Sequence, residues 1–226
     1  MKSRIINRIN LGLLLILPVV LAIYYLTSNP FACELASRTI HLDQYSREQR
    51  LNFICAAQAL DGCVIGPNES FSFNRRVGPR TGKRGFMPAP SYLGASRVDS
   101  AGGGICLISS CLYQTALLAG LKVDERFAHG RVTSVAPGLD ATVWYGQCDL
   151  KLSNHLGAPV ELRAFLSSPN ELTIQFLGDH SLKAEAQTRQ LRRREIAQGS
   201  DLLVEVYLAQ NANNQTLVSR DRYRIR

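Results

Sequence analysis

From Ile9 to Leu26 the chain is apolar for 18 residues, broken only by Asn10, Gly12 and Pro18. A run of that length is about enough to cross a bilayer as a helix, and Tyr24 and Tyr25 suit its far interface. Lys2, Arg4 and Arg8 precede it, and the next charge is Glu34. That asymmetry predicts a single pass through the bacterial cytoplasmic membrane, with the N-terminus inside and the rest of the chain outside. A cleaved signal peptide is the rival reading. The segment TSNPFAC lacks a small-x-small cleavage site, which favours an uncleaved anchor over residues 1–28.

Residues 29–45 have no clear period and read as a linker. Ser46 then opens a capping-box pattern with Gln49, and Leu51, Ile54 and Cys55 form an apolar stripe that stops at Gly62, which predicts a helix of about four turns. The stretch 66–94 is rich in Gly, Pro and Arg and reads as loops around a short strand, Ser70-Phe71-Ser72-Phe73, with both rings on one face. A second helix is predicted over 105–119 from Ile108, Leu112 and Ala116, with Gly120 as its stop. The period then changes. RVTSVA, ATVWY, DLKLSN, PVELRAFL and ELTIQFL read as strands separated by turn residues. Residues 184–199, with RQLRRRE, read as a charged connector. DLLVEVYLA and QTLVSRDRYRIR, on either side of QNANN, read as a β-hairpin. The expectation is an α+β fold, with helices packed on a mainly antiparallel sheet. One domain spans 46–180, followed by a basic connector and hairpin over 181–226.

The 226 residues, less the N-terminal segment, leave roughly 190, enough for one medium domain with a real core. Lys and Arg number 26 against 18 Asp and Glu, a net charge of +8. A basic surface can face anionic lipid or wall polymer. Nucleic acid is disfavoured, because zinc-finger spacing, aromatic RNA-binding signatures and long basic helices are all missing. Six cysteines in an exported chain point first to disulfides. Cys106 and Cys111 lie on one predicted helix with Cα atoms about 8 Å apart, too far for a bridge. If Cys106 is free, a second cysteine must be free as well, and Cys111 on a buried helix face fits that role. No Cys or His pair has the close spacing of structural zinc ligands, so no metal or other cofactor is expected.

The segment Gly102-Gly103-Gly104-Ile105-Cys106-Leu107-Ile108-Ser109-Ser110 carries the candidate chemistry. Three glycines leading into a helix let a ligand approach the backbone closely and leave the first helical amides facing outward. The positive end of the helix favours a thiolate, the attacking form of cysteine, and the amides near Cys106 and Leu107 can stabilise an oxyanion. A cysteine nucleophile needs a histidine partner. His129, 23 residues on, is the best placed, and Asp140, 11 further, can orient its ring; Asp149 is a second candidate for that role. The substrate-facing set is Gly102, Gly103, Gly104, Leu107, Ser109 and Ser110. Blander readings stand beside these: Cys106 in a core or disulfide, His129 as an ordinary strand histidine, and Asp140 in a turn. His41, His155 and His180 read as surface groups. Arg75, Arg76, Arg80 and Arg84 can hold a carboxylate or phosphate, though a solvated loop is the simpler reading.

At these residues the chain resembles the VanW family, named for an accessory protein of vancomycin-resistance clusters. The resemblance runs from about Asn52 to Gly178 through Asp61-Gly62, IGPNESFSFNRRVGPRTGKRGFMPAP, GGGIC with SS and LY, then ER, His129, PGLDATV and DLKLSN. It implies an envelope protein whose domain acts as an L,D-transpeptidase on peptidoglycan stem peptides, with Cys106 as nucleophile and His129 as the family's histidine. Leu107 stands where the family usually has Gln, and Cys111 where Thr is common. These departures leave open a non-catalytic module that binds stem peptides or a glycopeptide.

Overall fold

A computed structural model describes Pro18 and residues 29–93, 96–210 and 214–225. The apolar run 9–26, expected to be a membrane anchor, lies outside the described residues but for Pro18. Among the described residues no helix is long and apolar enough to cross a membrane.

The centre is a four-stranded antiparallel sheet ordered β1-β9-β8-β2, formed by Cys33–His41 (β1), Cys63–Ile65 (β2), Val160–Ser168 (β8) and Glu171–Gly178 (β9). Two helices cover it. The first, α1 (Arg47–Leu60), packs against β8 through Phe53, Ala56, Ala57 and Leu60, which recur at helical spacing. Its start is the expected capping box: Ser46 Oγ accepts from the Gln49 amide at 3.3 Å, and Gln49 returns an acceptor to the Ser46 amide at 3.2 Å.

The second helix, α3 (Cys106–Ala119), packs against β1 and β9 and is buried around nearly its whole circumference, from Ile108 and Leu112 on one side to Ser109, Tyr113 and Ala116 on others. A helix apolar on all sides belongs in the middle of a domain. It ends at Gly120 in a left-handed cap.

Smaller elements surround this core. Ser70–Ser72 (β3), Lys122–Glu125 (β6) and Lys151–Ser153 (β7) make a three-stranded sheet ordered β3-β7-β6, and Pro88–Leu93 (β4) pairs with Ser96–Ala101 (β5). Phe73–Val77 (α2) and a 3-10 turn over Gly82–Arg84 connect them. Gln190–Gln198 (β10), Asp201–Ala209 (β11) and Gln215–Arg224 (β12) form a separate antiparallel sheet, with α4 (His180–Thr188) leading into it.

The α+β character, both long helices and the C-terminal hairpin agree with the sequence reading. Four details differ. Residues 33–41, read as linker, form β1: only Cys33, Leu35 and Ile40 are buried, and a bulge between Glu34 and Ala36 breaks the alternation that would reveal a strand. Phe73 leaves the strand to open α2, although it and Phe71 are both buried. The charged connector is α4 followed by β10. Its arginines stand on an exposed edge strand, where charge is common and the backbone bonds to β11 supply the order. RVTSVA and ATVWY form loop with isolated bridges, Arg131 to Arg224, Phe127 to Thr142 and Trp144 to Cys148. There α3 side chains take up backbone groups that a ladder would need: Ser109 Oγ donates to Ala141 O at 2.6 Å, Ser110 Oγ accepts from Ala141 N at 2.9 Å, and Gln114 donates to Leu139 O at 3.0 Å. All six cysteines are unbridged.

Gly103 fixes where α3 begins. A Cβ built on it would lie 1.9 Å from the Ala89 carbonyl oxygen, so the chain passes directly against the backbone of β4. The wholly buried Asn52 holds both partners: its amide nitrogen donates to Met87 O and Gly103 O at 3.0 Å each, and its oxygen accepts from Met87 N at 2.8 Å. Gly103→Ala is therefore expected to cost about 1–3 kcal/mol. Gly157→Ala, where an added Cβ meets nothing within 4 Å, should stay within about 0.5 kcal/mol. Thermal unfolding of the two variants checks the contrast; equal midpoints would contradict it.

Candidate active site

Cys106 is the first residue of α3, and Ile105, with helical φ and ψ and no side-chain cap, precedes it. The turn before the helix ties its own amides: Ile105 N donates to Gly102 O at 3.1 Å, Leu107 N to Gly104 O at 2.9 Å and Ile108 N to Ile105 O at 2.9 Å. The Leu107 amide, expected to face a ligand, is thus already engaged. Among the described residues the amides of Gly104 and Cys106 are the donors of this turn without a backbone acceptor. The Cys106 thiol is half-buried and lies 3.6 Å from Val143 O.

Across from it, the loop after β6 carries His129 and the loop 138–143 carries Asp140. The carboxylate of Asp140 is buried, and each of its oxygens serves two donors. Oδ2 takes the His129 ring Nδ1 at 2.6 Å and the His129 amide at 2.8 Å. Oδ1 accepts from Tyr223 OH at 2.5 Å and from Arg126 Nη2 at 3.0 Å. Arg126 also donates to Asp140 O at 2.7 Å through Nε, pairs with Asp221 and lies over the Tyr113 ring at 5.1 Å. Tyr223 OH in turn accepts from Gly138 N at 2.7 Å. The C-terminal sheet, through Asp221 and Tyr223 of β12, is therefore part of the support for the Cys106 side of the molecule.

These contacts set the charge states. Burial alone would push Asp140 up, but the hydrogen bonds from His129 and Tyr223 and the Arg126 charge hold it down at about 2. Burial alone would lower His129, but its hydrogen bond to Asp140 and the nearby Cys106 sulfur outweigh that and raise it to about 9. The ring is 15 % exposed, so at neutral pH an imidazolium stands in a mostly dry site beside a sulfur. Such a group can stabilise a thiolate and donate a proton. Cys111, by contrast, is pushed up to about 12 by burial, as an inert core thiol should be.

A cavity of about 600 Å³ opens at Cys106 and His129, and Gly102, Gly104 and Leu107 line it. Trp144 and Tyr145, both exposed, also line it. The other three residues of the expected substrate-facing set do not. Gly103 is buried against β4. Ser109 and Ser110 are buried behind the helix start, where their hydroxyls donate to Cys106 O at 3.1 and 2.6 Å and grip Ala141; they position the Cys106 and Asp140 segments against each other. Asp149, the second candidate for orienting His129, is used elsewhere. It accepts from Ser72 Oγ at 2.6 Å, Asn74 N at 2.8 Å and Leu150 N at 2.9 Å, anchoring α2 to β7. Arg80 is no solvated loop residue, since it is partly buried and lines the cavity. Sequence patterns assign no role to Asn52, Arg126 or Tyr223. Among the described residues no group of three or more His, Cys, Asp or Glu could hold a metal ion.

A family profile described as "VanW like protein" matches residues 48–177. The "Uncharacterized protein YoaR" of Bacillus subtilis (strain 168) is 36% identical over 132 residues, covering 58% of this chain and 44% of that protein. The "Vancomycin B-type resistance protein VanW" of Enterococcus faecalis (strain ATCC 700802 / V583) is 29% identical over 129 residues, covering 54% of this chain and 47% of that protein. The chain thus spans about half the length of these relatives. No solved structure matches. Cys106, His129 and Asp140 all fall within the matched segment, and the chain belongs to the VanW family.

Proposed function

We propose that this VanW-family chain is a membrane-tethered envelope protein whose extracytoplasmic domain is a cysteine acyltransferase acting on peptidoglycan stem peptides. The observation that carries the reading is that Cys106 and His129 line one cavity, with the His129 ring bonded to the buried Asp140. The tether rests on the apolar run 9–26 behind Lys2, Arg4 and Arg8.

In the first step the Cys106 sulfur attacks a stem-peptide carbonyl. A C–S bond forms, the C–N bond to the following residue breaks, and the His129 imidazolium gives its proton to the leaving amine. The Cys106 amide is the donor placed for the developing oxyanion. The thioester is then resolved by an amine of a second stem peptide. That amine forms the new C–N bond, gives its proton to His129 and releases the sulfur. Water in place of the amine gives carboxypeptidase activity by the same path. The name of the Enterococcus relative, a vancomycin B-type resistance protein, fits a role in wall chemistry.

One observation favours a second reading, a non-catalytic module that binds stem peptides or a glycopeptide. Leu107, partly buried and lining the cavity, puts an apolar side chain beside the reactive sulfur, where a polar one would serve a charged transition state better.

Incubating the purified protein with muropeptides should give an acyl adduct by intact mass that is absent in Cys106→Ala; a wild-type protein that never acquires one supports the binding module. With iodoacetamide at neutral pH, Cys106 should label before the other five cysteines, and His129→Gln should slow that labelling by about 100-fold or more. Labelling of all six at one rate would count against the Cys–His pairing.

The charge states also predict a stability profile. His129 is raised in the folded state, so its contribution is full below about pH 6.5 and is lost as pH rises toward about 9. Asp140 is lowered, so its contribution is full above about pH 4 and is lost as pH falls toward about 2. The stability difference between wild type and His129→Gln should be greatest between these limits, on the order of 3 kcal/mol at most, and should shrink from pH 6.5 to 9. Denaturant unfolding across pH reads it, and a difference that grows with alkalinity would refute the assignment.

A further inference from the structure

The cavity at Cys106 is electrostatically one-sided. Its described lining includes Arg80 and His129 and no Asp or Glu. Arg80 is held in place by several elements at once. Its guanidinium carbon lies 5.4 Å from the centre of the Phe73 ring and 5.8 Å from that of Tyr145, and Nη1 donates to Gly78 O at 3.1 Å. Its stem runs over Gly102, where a Cβ would come within 2.7 Å of Arg80 Cβ and Cγ. The first glycine of the GGGIC segment is therefore the space that admits this arginine, and its φ of +81° is one that side-chain-bearing residues rarely adopt.

What Arg80 lacks is a carboxylate partner. Among the described residues it forms no ion pair, and Nη2 is shielded from water without an acceptor. The carboxylate that acts on it, Asp149, has its oxygens committed to Ser72, Asn74 and Leu150. Burial disfavours the charged form of Arg80, and the Cys106 sulfur, then Asp149 and Tyr145, only partly offset it. A guanidinium desolvated without a partner is costly, and a planar fork of donors matches a carboxylate. Tyr145 is 51% exposed; exposed side chains change rotamer on the ps–ns scale, so its ring can swing aside and admit a ligand.

We propose that Arg80 is the receptor for the C-terminal carboxylate of a peptide bound in the Cys106 cavity, so that the favoured substrate has its scissile bond one residue from a free chain end. The choice of peptide rests on the acyl-transfer reading, whereas the binding itself does not require that Cys106 react. Arg80 holds the residue that departs, opposite the sulfur, and thereby sets which carbonyl meets Cys106. An internal amide has no such anion to offer and is discriminated against.

The test uses the full chain as Cys106→Ala, which removes the covalent step, with a stem tetrapeptide ending in a free D-alanine carboxylate and the same peptide ending in a carboxamide. Calorimetry should show the acid binding about 10- to 100-fold more tightly than the amide, the range expected for a charge-assisted contact. In Cys106→Ala/Arg80→Met that ratio should fall toward one, and Arg80→Lys should restore part of it. Because the readout is a ratio of two ligands on one protein, a general loss of folded material divides out. Equal affinities for acid and amide, failure of the acid to bind at millimolar concentration, or a ratio unchanged by Arg80→Met would each overturn the proposal. The wild-type protein with the same tetrapeptide reports separately on acyl transfer: binding governed by Arg80 without an adduct would sink the acyltransferase reading and leave the carboxylate receptor standing.

Discussion

The buried carboxylate of Asp140 is the constraint around which this half of the molecule is organised. A carboxylate removed from water is affordable only with its lone pairs filled, and here Arg126, Tyr223 and both nitrogens offered by His129 fill them. Arg126 and His129 come from the segment after β6, and Tyr223 comes from β12. Satisfying one oxygen therefore ties the loop after β6 to the C-terminal sheet, while satisfying the other fixes the imidazole. Loss of any donor would leave a charge stranded in the interior and would disturb the ring indirectly.

The arrangement also explains why a separate three-stranded sheet follows the segment matched by the family profile. β12 delivers Asp221 and Tyr223 to Arg126 and Asp140, and Tyr223 in addition accepts from the Gly138 amide. On the opposite side, α3 uses Ser109, Ser110 and Gln114 to hold 139–141 in place. The loop bearing Asp140 is thus clamped between a helix and a sheet, and order that would ordinarily need a strand ladder comes from side chains.

The residues offering chemistry were legible in the sequence because their signals are local: three glycines before a helix, a cysteine at its start, a histidine and an aspartate in the following turns. The residues that support the candidate site were not, because their partners are remote. Tyr223 lies 83 positions from Asp140 and Asn52 lies 51 from Gly103, and no periodicity reports such pairings. Ser109 and Ser110 misled for a related reason. Their place in the motif pointed to a ligand, whereas their hydroxyls face the Asp140 loop. In the fold, the two helices announced themselves through caps and a 3.6-residue stripe. β1 and β10 did not, since one is bulged and the other is a charged edge whose order comes from its neighbour's backbone.

The account turns on the imidazole of His129 remaining charged because Asp140 and Cys106 hold it. The most direct measurement is the pH titration of the His129 ring carbons by NMR in protein labelled at histidine, with His129→Gln identifying the resonance. The account predicts a ring that stays protonated through neutrality and titrates near pH 9. A midpoint close to the ordinary histidine value of about 6.5 would contradict it.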